Sequence, residues 1–518
     1  MAPSINFDVG PVLRHCLRAR RNLLIRNIVL LAIAIAGLVL WTPQAVGLLI
    51  FSLILALLLP NASRRRRRLR RTAGRVLGIV IAVVLGLVVL SFVVRGGFAS
   101  AASVGDVPGI ASFSVSDYVD AFALLLAAAT ATEFVYLHTT FRTLDADLRS
   151  GAQLPRAVSE AAESRITMVE GAQRGNITLH SGWFPFIGAG PQTKVHWSIA
   201  IRLRPKTPVV PNGDRVPASS KYVRIDPYDL HRQIHARLLG LNDPALPANE
   251  RVAALTVSHR VIGSGLLGKD NPLLDPNLKT PYSHASPEAI EALIRHPQAR
   301  LRYYQQVSVS DQSPVVESRS GRPVAMSVDQ EVAVSAFIYA AVEGGMFYLQ
   351  FVLTALPPID HAYRIDDFSH VTTFFGTLMY SIKRLFGSLV SAPLGIIAAV
   401  SLWRSERAME KEYTSSDDSD FGTLVSVRQI AAAPSFGTYI EELDVEKYNM
   451  MISRLLLETV EEYLDGKGVD TSAFESSAQT IVNNGDFNYV RGDNNTIDQF
   501  GGRGNRHEEP ARQPRGAA

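Results

Sequence analysis

Apolar residues are concentrated in four long runs near the N-terminal end of the chain. The runs cover residues 23–41, 45–59, 76–94 and 121–138. A helix of this length measures about 22–30 Å at roughly 1.5 Å per residue, which is close to the thickness of the hydrocarbon core of a bilayer. The pattern therefore predicts a membrane α-helical region of about four transmembrane helices over residues 23–138.

Residues 139–368 have shorter patterns that are typical of a globular α+β domain. Apolar side chains alternate from Lys194 to Arg204, which predicts a half-buried strand. Residues 331–356 alternate on both sides of a Gly-Gly pair and predict a hairpin; the alternative is a further membrane span, which the central charge and glycines disfavour. Helices are predicted after Asp226 and after Ser286, because each precedes a proline that suits the first helical position.

Residues 369–392 carry apolar side chains at spacings of three and four, which predicts an amphipathic helix. Pro393 then introduces a second apolar stretch that is too short to span a bilayer. Two interpretations of residues 369–403 stay open at this point. The helix either packs on the globular domain or lies in the plane of the cytoplasmic leaflet.

The remaining chain divides into four segments by composition. An acidic, serine-rich stretch predicts a linker over residues 404–440. A second amphipathic pattern predicts a helical segment over residues 441–482, with Gly466 near its end. Residues 483–500 contain a short repeat, and residues 501–518 are rich in Gly, Arg and Pro, which predicts a disordered tail.

Charge is distributed asymmetrically along the chain. Residues 1–75 contain thirteen Lys or Arg and one acid, whereas residues 404–518 contain twelve Lys or Arg and twenty-one acids. Because basic loops stay on the cytoplasmic side, the basic N-terminus (residues 1–22) is predicted to be inside, and residues 96–120, which lack Lys and Arg, outside. The sequence thus predicts a multi-pass protein of the bacterial cytoplasmic (plasma) membrane with both termini in the cytoplasm.

An arginine cluster lies between the second and third apolar runs. We interpret it as a clamp on anionic membrane lipids, and expect no nucleic-acid partner, because a basic loop held between two spans lies at the headgroups. The clamp consists of Arg64, Arg65, Arg66, Arg67, Arg68, Arg70 and Arg71. Glu133 lies within the fourth run; it is either a functional acid inside a span or a side chain that snorkels to the interface.

Sequence motifs typical of catalytic, metal-binding or phosphate-binding sites are scarce. Cys16 is the only cysteine, which excludes an intrachain disulfide. His231 and His235 are four positions apart and share a helix face, as zinc ligands do, but no third ligand follows at a recognisable spacing. The sequence contains no Gly-rich phosphate loop, nucleophile elbow or metalloprotease helix. We therefore predict no catalytic, cofactor-binding or metal-binding residues, and no enzymatic activity.

The repeat near the C-terminus has the pattern Gly-Asp-x-Asn-x-(Val/Ile), twice, seven residues apart. Its residues are Gly485, Asp486, Asn488 and Val490, then Gly492, Asp493, Asn495 and Ile497. The pattern suits two stacked strands joined by a turn, because Gly and Asn tolerate the positive φ of tight turns. Stacked between chains, the Asn residues could form the ladders of a cross-β assembly. The alternative is a disordered tail in which the second copy of the pattern arose by chance.

The stretch from Gly485 to Ile497 resembles the amyloid-signalling motifs of bacteria, which are similar to the RIP homotypic interaction motif. The rest of the chain resembles uncharacterised multi-pass membrane proteins of actinobacteria. The motif resemblance implies a signalling or defence adaptor that associates with itself, as a homo-oligomer, and with an effector protein carrying a matching motif. A membrane scaffold or transporter-associated subunit with a merely solvated tail is the alternative hypothesis.

Overall fold

The computed structural model describes residues 7–40, 115–147, 155–206, 222–247, 250–252, 254–277, 279–312, 316–317, 320, 323–325, 329–363, 373–415, 418–483, 487–491 and 496–500. The chain forms two compact units. The sheet unit comprises Met1–Gly10, Ser164–Arg364 and Ser415–Ala518, and the helical unit comprises Pro11–Glu163 and Ile365–Thr414. The predicted spans at residues 45–59 and 76–94 lie outside the described residues.

A six-stranded sheet forms the centre of the sheet unit. The described residues of this unit contain twelve strands, of which six form the central sheet and six form three two-stranded sheets. They are β1 (Ile177–His180), β2 (Gln192–Arg202), β3 (Leu255–Ser264), β4 (Leu266–Gly268), β5 (Arg302–Gln312), β6 (Val316–Glu317), β7 (Pro323–Ala325), β8 (Asp329–Glu343), β9 (Met346–Leu356), β10 (Asp418–Asp420), β11 (Phe487–Arg491) and β12 (Thr496–Phe500). The sheet has the order β1-β3-β5-β8-β9-β2. Strand β1 is parallel to β3, and all other neighbours are antiparallel.

Nine α-helices accompany these strands in the described part of the chain. They are α1 (Val9–Leu40), α2 (Val115–Arg142), α3 (Glu160–Gln173), α4 (Pro227–Leu239), α5 (Pro287–Arg295), α6 (Phe374–Ser415), α7 (Val427–Ala431), α8 (Tyr439–Gly466) and α9 (Ser472–Asn483). The predicted helix starts at Pro227 and Pro287 are confirmed. The Asp226 side chain accepts a hydrogen bond from the Tyr228 amide, and the Ser286 hydroxyl accepts one from the Ala289 amide.

Helices α4, α8 and α9 cover one face of the sheet and form its main core. Leu230 and Ile234 of α4 share this core with Ile452 and Leu456 of α8 and with Phe347 of β9. The predicted helical segment of residues 441–482 is therefore part of the globular core. The range predicted as a linker contains the end of α6, strand β10 and helix α7.

The predicted hairpin of residues 331–356 is confirmed. Strands β8 and β9 pair from Ala333 with Leu356 to Glu343 with Met346. The connection consists of Gly344 and Gly345, with φ of 58° and 76°. A side chain would be strained in this left-handed region, so the glycine pair allows the tight turn between two long strands. The strand predicted from Lys194 to Arg204 is also confirmed, as β2.

The opposite face of the sheet contains a buried polar network. Gln306 of β5 donates through Nε2 to the Ser308 hydroxyl (2.8 Å), and Ser308 bonds to Ser335 of β8 (3.0 Å between the hydroxyl oxygens). Arg260 of β3 donates through Nε to Oε1 of Gln306 (2.9 Å). Burial lowers the pKa of Arg260 to about 10. The hydrogen bonds offset the cost of removing these groups from water.

The helical unit contains α1, α2 and α6 in its described part. Leu30 of α1, Ala129 of α2, and Leu385 and Ala392 of α6 form its buried apolar core. Helix α6 is continuous through Pro393, so the predicted division into an amphipathic helix and a separate short apolar stretch is wrong. A proline removes one backbone hydrogen bond, but the turns on both sides continue the helix.

The predicted fold class, with about four transmembrane helices, is wrong. Within the described residues a single helix, Phe374–Ala408, is long and apolar enough to cross a membrane. The first and fourth predicted spans fall on α1 and α2. These helices carry Arg26 and Glu133 with both side chains buried, and the two charged groups face one another.

The backbone before β2 generates a prediction about stability. Gly190 has a φ of 97°, and an added Cβ would lie 2.5 Å from the carbonyl oxygen of Ala355. We expect Gly190→Ala in the full-length chain to lower the free energy of unfolding by about 1–3 kcal/mol, measured by chemical denaturation.

Gly240 provides the matched control. Its φ is −57°, and an added Cβ meets no atom within 4 Å. We expect Gly240→Ala to leave stability unchanged or raise it by up to about 1 kcal/mol, because alanine restricts the unfolded chain. Equal effects of the two substitutions would contradict this account of Gly190.

Candidate functional site

Three residues of the predicted self-assembly motif, Asn488, Val490 and Ile497, lie on the last two described strands. Strands β11 and β12 are antiparallel, with Val490 opposite Ile497 and Asn488 opposite Gln499. The aliphatic positions of the two repeat units are thus cross-strand partners. The other predicted motif residues lie outside the described part of the chain, namely Gly485, Asp486, Gly492, Asp493 and Asn495.

The β11–β12 hairpin lies beside β2, the strand at one end of the six-stranded order. The two form separate sheets, because the hairpin pairs only with itself in the described residues. A hairpin of two five-residue strands is marginally stable alone in water. The described motif residues, Asn488, Val490 and Ile497, therefore lie on two short strands that pair with each other.

The arginine clamp cannot be placed in relation to these elements. Its residues, Arg64, Arg65, Arg66, Arg67, Arg68, Arg70 and Arg71, all lie outside the described part of the chain. The interpretation of this cluster as a lipid clamp stays a prediction.

A cluster of aromatic and imidazole rings lies where α4 packs on the sheet. His231 and His235 come from one face of α4, as their spacing predicts, and His259 comes from β3. The rings of His235 and His259 are stacked, with centroids 5.5 Å apart and planes 5° apart. His231 meets the Tyr303 ring edge-on at 4.9 Å.

Hydrogen bonds fix two of these imidazoles to β5. His231 Nδ1 donates to Oε1 of Gln305 (3.2 Å), and the Tyr303 hydroxyl lies 2.8 Å from Nδ1 of His259. Among the described residues no three His, Cys, Asp or Glu side chains converge as metal ligands. His259 was not recognisable as a neighbour in the sequence, because a strand residue and a helix residue meet only in the folded sheet.

Burial controls the charge of this histidine cluster. It lowers the pKa of His231 to about 4, and it also lowers the pKa values of His235 and His259. Burial raises the pKa of Tyr303. The imidazoles are neutral at pH 7, which allows two of them to stack without repulsion. The arrangement makes the contact between α4 and the sheet sensitive to acid.

Glu133 is also inside the protein, in the helical unit. Its carboxylate is 0% exposed, so the snorkelling interpretation is wrong. Arg26 Nη1 lies 3.5 Å from Oε2 of Glu133, and the Ser388 hydroxyl donates to Oε1 (3.0 Å). These contacts hold the carboxylate between three helices, α1, α2 and α6.

The histidine cluster predicts acid-dependent stability. The His231 pKa is near 4 in the folded chain and near 6.5 when unfolded, so the unfolded state binds more protons as the pH falls. The stabilisation is complete above about pH 6.5 and declines as the pH falls towards 4. At pH 5 we expect a loss of about 2 kcal/mol from His231, measured by chemical denaturation of the full-length chain at pH 7.5 and 5.0.

Two variants isolate this effect. His231→Phe retains an aromatic ring but cannot be protonated, so its stability should change less between the two pH values. His361, which is exposed outside the cluster, serves as the control, and His361→Ala should keep the wild-type pH dependence. An unchanged pH dependence in His231→Phe would show that this ring is not responsible.

Comparison with known proteins identifies one family. Residues 196–496 match the family model of the AbeC-like domain, a range that contains the histidine cluster, α6, α8 and α9. No curated protein and no solved structure matches the chain. The matched residues make up more than half of the 518-residue sequence. The chain therefore belongs to the family of proteins with an AbeC-like domain.

Proposed function

We propose that this protein is a non-enzymatic, membrane-attached adaptor in bacterial signalling or defence, and that its C-terminal motif associates with copies of itself. The pairing of Val490 with Ile497 carries the proposal. It brings the two repeat units into one hairpin, and a hairpin this small gains stability when further strands pair with its edges.

Self-association is supported by the composition of the motif. Each unit contributes one aliphatic residue and one Asn to a short strand or its flank. In a cross-β stack the aliphatic side chains would pack between layers, and the Asn side chains would form hydrogen-bonded ladders. A second protein with a matching motif could add to the same stack, which is how an adaptor would recruit an effector.

Membrane attachment is supported by α6. The segment Phe374–Ala408 has the length and composition of a membrane-crossing helix, and little of it is buried within the protein. Large apolar side chains on α6 face solvent, including Ile397, Val400, Leu402 and Trp403. Removing such side chains from water is favourable, and a bilayer provides the apolar surroundings.

The motif proposal predicts that assembly depends on Val490. In a stack, Val490→Asp would repeat a negative charge every ~4.8 Å along the fibre, which strongly opposes assembly. We expect the full-length wild-type protein to form thioflavin-positive, sedimenting assemblies when seeded with a peptide of residues 478–500, and the Val490→Asp variant to form none.

Val482→Asp is the matched control, because Val482 is 59% exposed on α9 and precedes the motif. This variant should assemble like the wild type. If the wild-type protein stays unassembled with seeds, or if both aspartate variants behave alike, the adaptor proposal fails and a membrane scaffold with a solvated tail takes its place.

The attachment proposal predicts that a charge within α6 releases the protein from membranes. Ile397 is exposed, so Ile397→Arg should leave the fold intact but cost about 2.5–3.5 kcal/mol of insertion. We expect this variant to shift from the membrane to the soluble or aggregated fraction after carbonate extraction. Ser405→Arg, near the end of the apolar segment, should stay in the membrane because its side chain can reach the headgroups. Extraction of the wild-type protein by carbonate would contradict the proposal.

A further inference from the structure

Three tyrosines form a row on the face of the six-stranded sheet that is opposite the main core. They are Tyr304 of β5, Tyr339 of β8 and Tyr348 of β9, so the row crosses three adjacent strands. Their neighbours along the strands, such as Ile338 and Phe347, belong to the main core, and side chains alternate between the two faces of a sheet. All three tyrosines are partly exposed. We call these residues the tyrosine row.

The rings of the tyrosine row are close together but do not stack on one another. The centroids of Tyr304 and Tyr339 are 5.5 Å apart with planes inclined by 42°, and those of Tyr339 and Tyr348 are 6.1 Å apart with planes inclined by 62°. Because the rings are inclined, their flat faces are not used up by contacts within the row. A planar aromatic group can therefore stack on them.

One end of the tyrosine row is shielded by the segment before β2. Phe186 packs on Phe337 with ring centroids 4.2 Å apart, and it meets Tyr304 edge-on at 5.2 Å. Phe186 and Phe337 are buried, whereas Tyr339 and Tyr348 are partly exposed. The apolar cluster therefore supports the row from one side and leaves its other end open to solvent.

Small neighbours leave room around Tyr348. Its partner on β2 is Ala200, and its partner on β8 is Ala341. Directly opposite side chains in an antiparallel sheet are about 4.5–5.5 Å apart, so an alanine on each side leaves space next to the ring. Gln350 pairs with Ser198 at the neighbouring position of the same face. Its amide supplies both a donor and an acceptor beside the tyrosines.

A guanidinium group with a free donor lies beside the tyrosine row. Arg302 is two residues before Tyr304 on β5 and therefore on the same face. Burial raises the pKa values of Tyr304 and Tyr339, and the nearby charge of Arg302 partly opposes this effect. Arg302 Nη1 is buried, and no described residue accepts a hydrogen bond from it or forms an ion pair with Arg302. An anionic ligand would supply the missing acceptor.

Basic groups outnumber acids around the tyrosine row. The strands place three guanidinium groups on this side of the sheet, those of Arg202, Arg260 and Arg302. Glu343, at the end of β8, is exposed, and its charge acts on Tyr339. The surplus of positive charge favours a negatively charged partner.

We propose that the tyrosine row binds single-stranded nucleic acid, with bases stacked on Tyr339 and Tyr348 and a backbone phosphate at Arg302. Aromatic side chains on an open antiparallel sheet stack unpaired bases, and a guanidinium fork suits phosphate geometry. A neutral peptide or sugar would leave the Nη1 donor of Arg302 without an acceptor. The expectation of no nucleic-acid partner came from the arginine cluster, whereas this row forms only when three strands align.

The test is fluorescence anisotropy with labelled oligonucleotides and the full-length protein in neutral detergent. The probes are oligouridylate, oligodeoxyuridylate and a mixed-sequence duplex, all of equal length. We expect at least one single strand to bind about tenfold or more tightly than the duplex, because bases inside a duplex cannot reach the rings. Tighter binding of oligouridylate would identify RNA as the ligand, through its 2′-hydroxyls, and the reverse order would identify DNA. Equal binding of single strands and duplex, or no binding, overturns the proposal.

Substitutions of Tyr348 test the stacking. Tyr348→Ala should weaken binding of the single strand about tenfold, whereas Tyr348→Phe, which retains the ring, should stay within about twofold of the wild type. Tyr439→Ala is the matched control, because Tyr439 is 67% exposed on α8, which covers the opposite face of the sheet. This control should bind like the wild type. Equal losses in Tyr348→Ala and Tyr439→Ala, or in Tyr348→Ala and Tyr348→Phe, would contradict stacking at the row.

Substitutions of the two charged neighbours should act in opposite directions. Arg302→Gln should weaken binding and lower the salt dependence by about one phosphate contact. Glu343→Gln should strengthen binding, because it removes a negative charge beside the row. Since Glu343 is exposed, this variant remains informative if Arg302→Gln disturbs folding. An unchanged salt dependence in a folded Arg302→Gln protein, or weaker binding by Glu343→Gln, would count against a phosphate at this position.

Inorganic polyphosphate separates base stacking from attraction between charges alone. It carries phosphates but no bases, so at equal phosphate concentration it should fail to displace the bound oligonucleotide. Full displacement would show a general site for anions and overturn the assignment to nucleic acid.

Discussion

Burial of one face of the six-stranded sheet holds together parts of the chain that are far apart in sequence. The apolar side chains of β9, such as Phe347, can leave water only when α4 and α8 lie over them, and those helices can bury Ile234 and Leu456 only against the sheet. Each fully buried aliphatic or aromatic side chain contributes about 1.5–3 kcal/mol. The face is therefore stable as a whole and not strand by strand.

A second constraint applies to the polar groups buried inside each unit. A buried hydrogen-bond donor or acceptor is costly unless it has a partner. In the sheet unit, Gln306 and Ser308 satisfy one another on the face opposite the main core. In the helical unit, Glu133 is held by Ser388 and Arg26. Such contacts add little net stability, but they penalise any other register or rotation of the elements that carry them.

Local signals in the sequence predicted much of the sheet unit. The caps before Pro227 and Pro287, the alternation along β2 and the Gly-Gly turn at Gly344 all depend on neighbouring residues, and each appears where it was expected. Strand order and the meeting of His235 with His259 depend on long-range packing, which a single sequence does not encode in any local pattern.

The prediction of about four membrane spans failed for a physical reason of the same kind. Apolar runs of about 20 residues can line a bilayer or pack in a bundle, and composition alone does not separate the two environments. The burial of Arg26 against Glu133 shows that α1 and α2 face one another, which no run of apolar residues reveals. The prediction of a helix end at Pro393 was wrong for another reason. Helix α6 continues through this proline because the turns on both sides remain helical.

The strand order has a consequence for synthesis on the ribosome. The two strands at the ends of the order, β1 and β2, are the first of the sheet to emerge, but their partners β3 and β9 come later. Helix α8, which completes the core, is translated nearly last. The nascent chain must therefore carry an unpaired β2 until β9 has been made, and an uncovered sheet face until α8 follows, which favours slow folding and a need for chaperones.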